Sequence, residues 1–326
     1  MIRELKENYS YTKVIAFLSV FSFVFGVAVC FVGEIFLPMA SGFLAALILF
    51  ENPNKRIFSL ICPLVSIVCS YALIGPIALF GIEHILLAVI LAVCYKKALG
   101  KAETAVYLTA LIVAFIVFFL YVNTAVTIGD FSYEAVVGYT KESYIFLRTE
   151  VVKALSEFTV TAADGTQQNL MSVENASWYV TAATNSFVSL IIIYAFVLAG
   201  ICEKIYSTIV LRYSKHGILK TFAHFIPSNF CAYAYIVAVV LGMFASDTKA
   251  LGIAITNSKN ILFVVFLYMG LKYLIMVAKA SNKKLFIYSL IVLGFISFTS
   301  VVPTVVSYLG TWVVIGTNAH NKKTSN

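Results

Sequence analysis

Charged residues are scarce in this 326-residue chain, making up only 12% of it. Soluble domains carry about 25% charged residues, and length alone would suggest about two such domains. Because 61% of the residues are hydrophobic, the chain has too little polar surface to stay in solution. The composition therefore excludes an ordinary soluble protein and indicates one that lives in a membrane.

The sequence also lacks the motifs of several common activities. Its six cysteines form no C-x-x-C pair and its four histidines show no H-E-x-x-H spacing, so neither a disulfide framework nor a metal site is predicted. A Walker A motif, a G-x-G-x-x-G after a strand and a G-x-S-x-G motif are all absent. We therefore predict no catalytic residues, no metal, no cofactor and no ATP hydrolysis by this chain.

What the sequence does contain is a series of hydrophobic runs of about 16–20 residues, enough for a helix to cross most or all of a hydrocarbon core about 30 Å thick. Helices satisfy their own backbone hydrogen bonds in lipid, whereas barrel strands would be shorter and alternating. The predicted fold is an all-α polytopic transmembrane helical bundle of about 8–10 spans. The provisional spans are 14–33, 35–50, 57–74, 76–95, 104–123, 185–203, 229–246, 260–278 and 285–318.

The last stretch, 285–318, is too long for one ordinary span and has Pro303 in its middle. It is either one helix or a tight pair meeting near Pro303. The pair is favoured because it returns the basic tail, residues 319–326, to the side on which the chain begins.

Most of the 23 basic residues fall in alternate gaps between the spans. Basic residues resist translocation, so the N-terminus is predicted to be cytoplasmic in a multi-pass protein of the cell membrane. The net charge of +8 is explained by lysines that fix the orientation of the spans and contact anionic lipid headgroups. The lipid bilayer is thus a predicted partner and nucleic acid is not.

One sizeable extracytoplasmic segment, 124–184, separates the predicted membrane halves 1–123 and 185–318, and carries seven acidic and three basic residues. Apolar residues recur within it at alternating steps of four and three from Tyr133 to Phe158, which predicts an amphipathic helix. Asp164-Gly165 indicates a turn, and a weaker helix is predicted to start at Gln167.

The apolar stripe of this segment has two interpretations. It packs on the protein's own helices or on the lipid surface, or it docks an extracytoplasmic partner. The docking hypothesis assigns contact to Tyr144, Leu147, Val151 and Phe158.

Two adjacent polar residues, Glu83 and His84, fall near the bilayer midplane if the span is 76–95. A charge there costs about 2.5–3.5 kcal/mol on insertion scales, so such residues usually face a cavity or a partner. With Lys272 in a late span, they are the candidates for binding a solute or an ion. The alternatives are a helix that starts near Ile82, which leaves the pair near water, and a Lys272 that snorkels to the interface.

Small residues repeat on the first helix at Ser22, Gly26 and Cys30. Their spacing of four places them on one face, which predicts close helix packing, either within the chain or with another subunit.

Several segments of the second half resemble the YybS-like family of uncharacterised bacterial membrane proteins. They are a basic loop from Arg212 to Gly217, Phe222 to Pro227 before a span, the block around Gly270, and Leu309 to Trp312 before a basic tail. That family is in turn similar to the substrate-binding subunits of energy-coupling-factor vitamin transporters.

The resemblance implies a small-solute binding or transport module that lacks its own ATPase and works with membrane or ATPase partner subunits. The alternative is a structural or assembly protein of the cell envelope that docks partners through the 133–158 helix.

Overall fold

The structure is a computed structural model, and its described residues contain eleven α-helices and one short β-hairpin. The predicted all-α helical class is therefore confirmed.

The described residues are 9–50, 56–75, 78, 81–97, 99, 101–161, 167–169, 171–214, 226–244, 250–280, 288 and 301–324. The elements are α1 Tyr11–Val32, α2 Leu37–Phe50, α3 Arg56–Ile74, α4 Gly81–Lys96, α5 Lys101–Ile128, α6 Tyr133–Glu157, β1 Thr159–Thr161, β2 Gln167–Asn169, α7 Val173–Asn185, α8 Phe187–Tyr213, α9 Asn229–Gly242, α10 Ala250–Ala280 and α11 Val301–Thr324.

Five of these helices contain stretches long and apolar enough to cross a membrane. They lie in α1, α5, α8, α10 and α11, and shorter apolar helices occur at Leu37–Phe50, Pro63–Ile74 and Asn229–Gly242. A helix rises 1.5 Å per residue, so the 22 residues of α1 cover about 33 Å. The chain is a multi-pass integral membrane protein.

The chain folds into two compact units, each with its own packing. Unit 1 comprises residues 1–117 and 194–225, and unit 2 comprises residues 118–193 and 226–326. The boundaries fall within α5 and α8 rather than at helix ends.

Unit 1 is built on the contact of α2 with α4 and the second half of α8. A Cβ added at Gly42 of α2 would lie 2.7 Å from Ile205 Cγ2, so glycine is required where α8 approaches. The rings of Tyr95 on α4 and Tyr206 on α8 meet edge to face with centroids 5.6 Å apart. Aromatic pairs of this geometry add to the burial energy, and Tyr206 is fully buried.

The core of unit 2 is a backbone-level crossing of α10 and α11. A Cβ added at Gly270 would overlap the carbonyl oxygen of Val306, and one added at Gly310 would overlap the carbonyl oxygen of Phe266. Gly270 thus pairs with Val306 and Phe266 with Gly310, so the two helices run antiparallel. Lipid offers no hydrophobic drive for helix association, and small residues allow the close van der Waals contact that replaces it.

Amide side chains complete the polar bonding of unit 2. Asn257 Nδ2 donates to the carbonyl of Asn185, 2.6 Å away, where α7 ends. Its Oδ1 accepts from the backbone N–H of Ser189 at the start of α8, at 2.8 Å. A break between two helices leaves backbone groups without partners, and one side chain of α10 satisfies two of them.

The segment after α5 differs in part from its prediction. α6 follows the predicted amphipathic helix closely, and its N-cap Ser132 accepts from the N–H of Ala135. The second helix does not start at Gln167, because Gln167–Asn169 pairs with Thr159–Thr161 as an antiparallel strand. α7 starts instead after its N-cap Ser172. The predicted Asp164-Gly165 turn lies outside the described residues.

Two helices also differ in extent from the predicted spans. The 76–95 span starts at Gly81, and α8 continues past residue 203 to Tyr213. Of the 285–318 stretch, residues 285–300 other than 288 lie outside the described residues. Pro303 falls in the first turn of α11, where a proline costs no backbone hydrogen bond.

The glycine crossing of unit 2 makes the first testable prediction. We expect Gly310→Ala to destabilise the protein by roughly 1–3 kcal/mol or more, because the added methyl overpacks a backbone contact. The measurement is the thermal midpoint in detergent, read by size-exclusion chromatography with fluorescence detection.

The matched control is Gly316→Ala on the same helix, where an added Cβ meets nothing within 4 Å. It removes a helix-interior glycine and gains about 1 kcal/mol in helix propensity at most. Equal midpoints for the two variants would show that the crossing is not as close as described.

Candidate functional site in unit 1

His84 is the most unusual polar residue of the described chain. It lies in the first turn of α4 with no exposed surface, and the carbonyl of Gly81 on the same helix acts on its ring. Neither ring nitrogen makes a hydrogen bond of standard geometry within the described residues. A buried polar group without a partner costs about 1–3 kcal/mol, so its retention calls for an explanation.

The space beside His84 is created by a glycine. A Cβ added at Gly26 of α1 would lie 3.3 Å from His84 Nε2 and 3.0 Å from Ser66 Oγ of α3. Ser66 donates its hydroxyl proton to the carbonyl of Pro63 at 2.7 Å, which leaves its oxygen lone pairs to accept. Three helices therefore bring an imidazole and a hydroxyl oxygen to one point on α1.

The same face of α1 continues in both directions. Ser22, one turn before Gly26, is fully buried and its hydroxyl has no hydrogen-bond partner in the described part of the chain. Cys30, one turn after, donates to the carbonyl of Ala78 at 3.6 Å and faces Ser70 of α3. The structure thus places Gly26 and Cys30 of the predicted small-residue face against α3 and α4, within the chain, and Ser22 is buried on the same face.

These contacts also give the relative direction of α1 and α4 and the position of His84 along α1. Cys30 lies beside Gly81, where an added Cβ would be 2.7 Å from its sulfur, and Gly26 lies beside His84. α1 and α4 therefore run antiparallel. Gly26 follows the middle of α1 by four to five residues and precedes Val32 by six, about 9 Å along the helix, so His84 lies between the middle of α1 and its Val32 end.

Glu83 is almost as buried as His84, with 2% of its surface exposed, but it faces another neighbour. Its carboxyl acts electrostatically on the Cys202 thiol of α8, and it has interactions within the protein. Adjacent helix residues point about 100° apart, which separates Glu83 toward α8 from His84 toward α1 and α3. α4 starts at Gly81, close to the later start at Ile82 that the sequence allows, and both residues of the pair are buried within the protein.

A second buried carboxyl was missed by the sequence analysis. Glu203 of α8 is 3% exposed and has interactions within the protein. The sequence places it at the end of the predicted span 185–203, just before Lys204. The signal that could have identified it is the apolar residues after Lys204, which continue at helical spacing through Val210.

Buried polar side chains without partners concentrate in unit 1. Within the described residues they include the Ser22, Ser41 and Tyr206 hydroxyls and both nitrogens of His84. The polar groups buried in unit 2 are bonded instead, as in the hydrogen bond of Tyr235 Oη with Ser307 Oγ at 3.0 Å. This contrast identifies unit 1 as the place where polar groups remain available to a ligand.

The other predicted site residues lie in unit 2. Lys272 is half-buried on α10 and has interactions within the protein. Tyr144, Leu147, Val151 and Phe158 are all exposed. Arg148 of α6, four residues after Tyr144, donates to Thr181 Oγ1 of α7 at 2.9 Å.

Comparison with known proteins supplies no family for this arrangement. No family model, curated protein or solved structure matches the chain. In the described residues no group of three or more His, Cys, Asp and Glu could hold a metal ion. The polar groups around Gly26 are the imidazole of His84 and the hydroxyls of Ser66 and Ser22, which can exchange protons and hydrogen bonds.

The lack of hydrogen bonds at His84 makes a second prediction. We expect His84→Leu, a change of similar volume, to raise the free energy of unfolding by about 1–2 kcal/mol, because it removes an unpaired buried polar group. The thermal midpoint in detergent measures this change.

The control is Leu87→Ala, one turn later on α4 and fully buried, which should lower stability by about 2–5 kcal/mol. If His84→Leu were as damaging as this control, His84 would be a bonded structural residue rather than a candidate site.

Proposed function

We propose that the protein is a small-solute binding or transport module without an ATPase of its own. The observation that carries the proposal is His84, which is fully buried within a membrane protein and whose ring nitrogens make no hydrogen bond of standard geometry in the described residues. Ionisable residues kept inside membrane bundles commonly mark ion, proton or substrate pathways. A purely structural helix would be more stable with an apolar residue there.

Glu83 and Glu203 support the same proposal. Both carboxyls are buried in unit 1, on α4 and α8, where charge is costly and is kept for a function or a specific partner. The resemblance to the YybS-like family, and through it to the binding subunits of energy-coupling-factor transporters, favours a solute as the ligand and an ATPase as a separate partner. Lys272 remains a candidate contact on α10.

The experiment is co-purification from the native membrane in mild detergent. Bound small molecules and bound proteins are identified by mass spectrometry for the wild type and for Glu83→Gln/His84→Leu/Lys272→Met. We expect a small molecule enriched with the wild type and lost from the triple variant, and an ATPase pair with a second membrane subunit retained by both.

The control for that experiment is Ile145→Ala, an exposed residue of α6 remote in sequence from the three. It should keep both the small molecule and the partners. The same small molecules bound to the triple variant and the wild type would overturn the site assignment.

The second candidate is an assembly protein of the cell envelope that docks partners through α6. The specific observation is that the four stripe residues proposed for docking, from Tyr144 to Phe158, are all exposed. An apolar stripe of this kind is where partners commonly bind.

Leu147→Lys tests this candidate, with Ile145→Lys as its matched control. The two side chains are equally exposed, at 61% and 62%, but lie about 160° apart around the helix. Loss of a crosslinked partner only in Leu147→Lys, with an unchanged thermal midpoint, is the expected result for a docking face. Equal crosslinking in both variants would remove this candidate.

A further inference from the structure

The size of the space at His84 decides what the residue can bind. A Cβ at Gly26 would already lie 3.3 Å from Nε2 and 3.0 Å from the neighbouring Ser66 Oγ, tighter than ordinary contacts between heavy atoms, which are about 3.5–4.0 Å apart. No further heavy atom fits between α1 and the ring while the helices stay in contact. An organic solute therefore does not reach Nε2 in this arrangement.

The chemistry around the ring also argues against a metal ion. Hard cations such as Ca²⁺ and Mg²⁺ need several carboxylate or carbonyl oxygens, whereas Ser66 and Ser22 offer hydroxyls and Glu83 faces α8. A protonated imidazole, by contrast, needs only acceptors for its two N–H groups. The lone pairs of Ser66 Oγ are available for this, and the buried hydroxyl of Ser22 lies one turn away on α1.

We propose that His84 is a proton-binding residue whose protonation separates α4 from α1 and α3, so that the proton, rather than the solute, is its ligand. This proposal rests on the proposed transport function and assigns His84 the coupling ion. A neutral imidazole fits the closed contact. An imidazolium in the same place would carry an unsolvated charge, and separation of the helices admits the water that it requires.

Titratable groups occur on four of the helices packed around His84, whereas α2, which packs on α4, has no ionisable residue between Leu37 and Phe50. In the described part of the chain they are Tyr11, Lys13 and Cys30 on α1, Arg56, Cys62, Cys69 and Tyr71 on α3, Glu83, Cys94, Tyr95 and Lys96 on α4, and Tyr194, Cys202, Glu203, Lys204, Tyr206, Arg212 and Tyr213 on α8.

Cys30 supplies a reporter of this separation. It is 3% exposed, and its sulfur lies between α1 and the first residue of α4, at the contact that the proposal opens. Cys202 is fully buried on α8, where Glu83 of α4 acts electrostatically on its thiol. Labelling of Cys30 thus reports opening of α4 from α1, and labelling of Cys202 reports general unfolding.

The experiment measures N-ethylmaleimide labelling rates of full-length protein in detergent between about pH 8 and pH 5.5, the range in which imidazoles titrate. One form keeps Cys30 alone and another keeps Cys202 alone, and each is made with His84 and with His84→Gln. The rate with His84 is divided by the rate with His84→Gln, so the effect of pH on the thiolate cancels.

We expect this ratio to rise at least tenfold for Cys30 as the pH falls, and to stay constant for Cys202. A Cys30 ratio that does not change with pH overturns the proposal, and so does an equal rise at Cys202, which means acid unfolding. Should His84→Gln fold poorly, His84→Asn provides the same comparison.

The two proposals fail in different ways. Suppose the Cys30 ratio does not change with pH and a small molecule binds the wild type but not the triple variant. The proposed transport function would then be retained, and the proposal that His84 binds a proton would be rejected. If the Cys30 ratio depends on pH but no small molecule is bound, the proton site at His84 would be retained and the proposed solute binding would be rejected.

Discussion

The absence of water inside a bilayer is the constraint on which this structure depends. Every polar group in the hydrocarbon layer needs a partner from the protein itself, and unit 2 meets this demand in detail. Asn257 bridges the break between α7 and α8, and Asn318 of α11 donates to the Pro227 carbonyl just before α9 at 3.0 Å. Against this background, the unbonded imidazole of His84 in unit 1 stands out as an exception that stability alone does not explain.

Glycine permits a different kind of close contact in each of the two units. At Gly270 and Gly310 it lets two backbones touch, which supplies the dispersion contact that holds α10 to α11 in lipid. At Gly26 it leaves room for the ring of His84 and the hydroxyl of Ser66. The first use makes a permanent contact. The second makes a contact in which protonation of the His84 ring would introduce a charge that no solvent screens.

Sequence reasoning located most helices and the small-residue face from Ser22 to Cys30, since length, hydropathy and spacing are local properties. It left the start of α4 open between Pro76 and Ile82, because Gly75 to Phe80 is as apolar as the helix that follows. It also missed the burial of Glu203, because a carboxyl followed by a lysine resembles the end of a span. Burial depends on which helices surround a residue, and hydropathy does not carry that information.

The sequence by itself determined that the chain is a membrane protein, that it is helical, and which few charged residues fall within its hydrophobic runs. Those properties follow from composition and from the period of a helix. Only the tertiary structure decided that Glu83 and His84 face different helices, that Gly26 and Ser66 lie beside the imidazole, and that Lys272 belongs to the other unit. These are contacts between segments far apart in the chain, and their geometry is set by how side chains of different helices fit together.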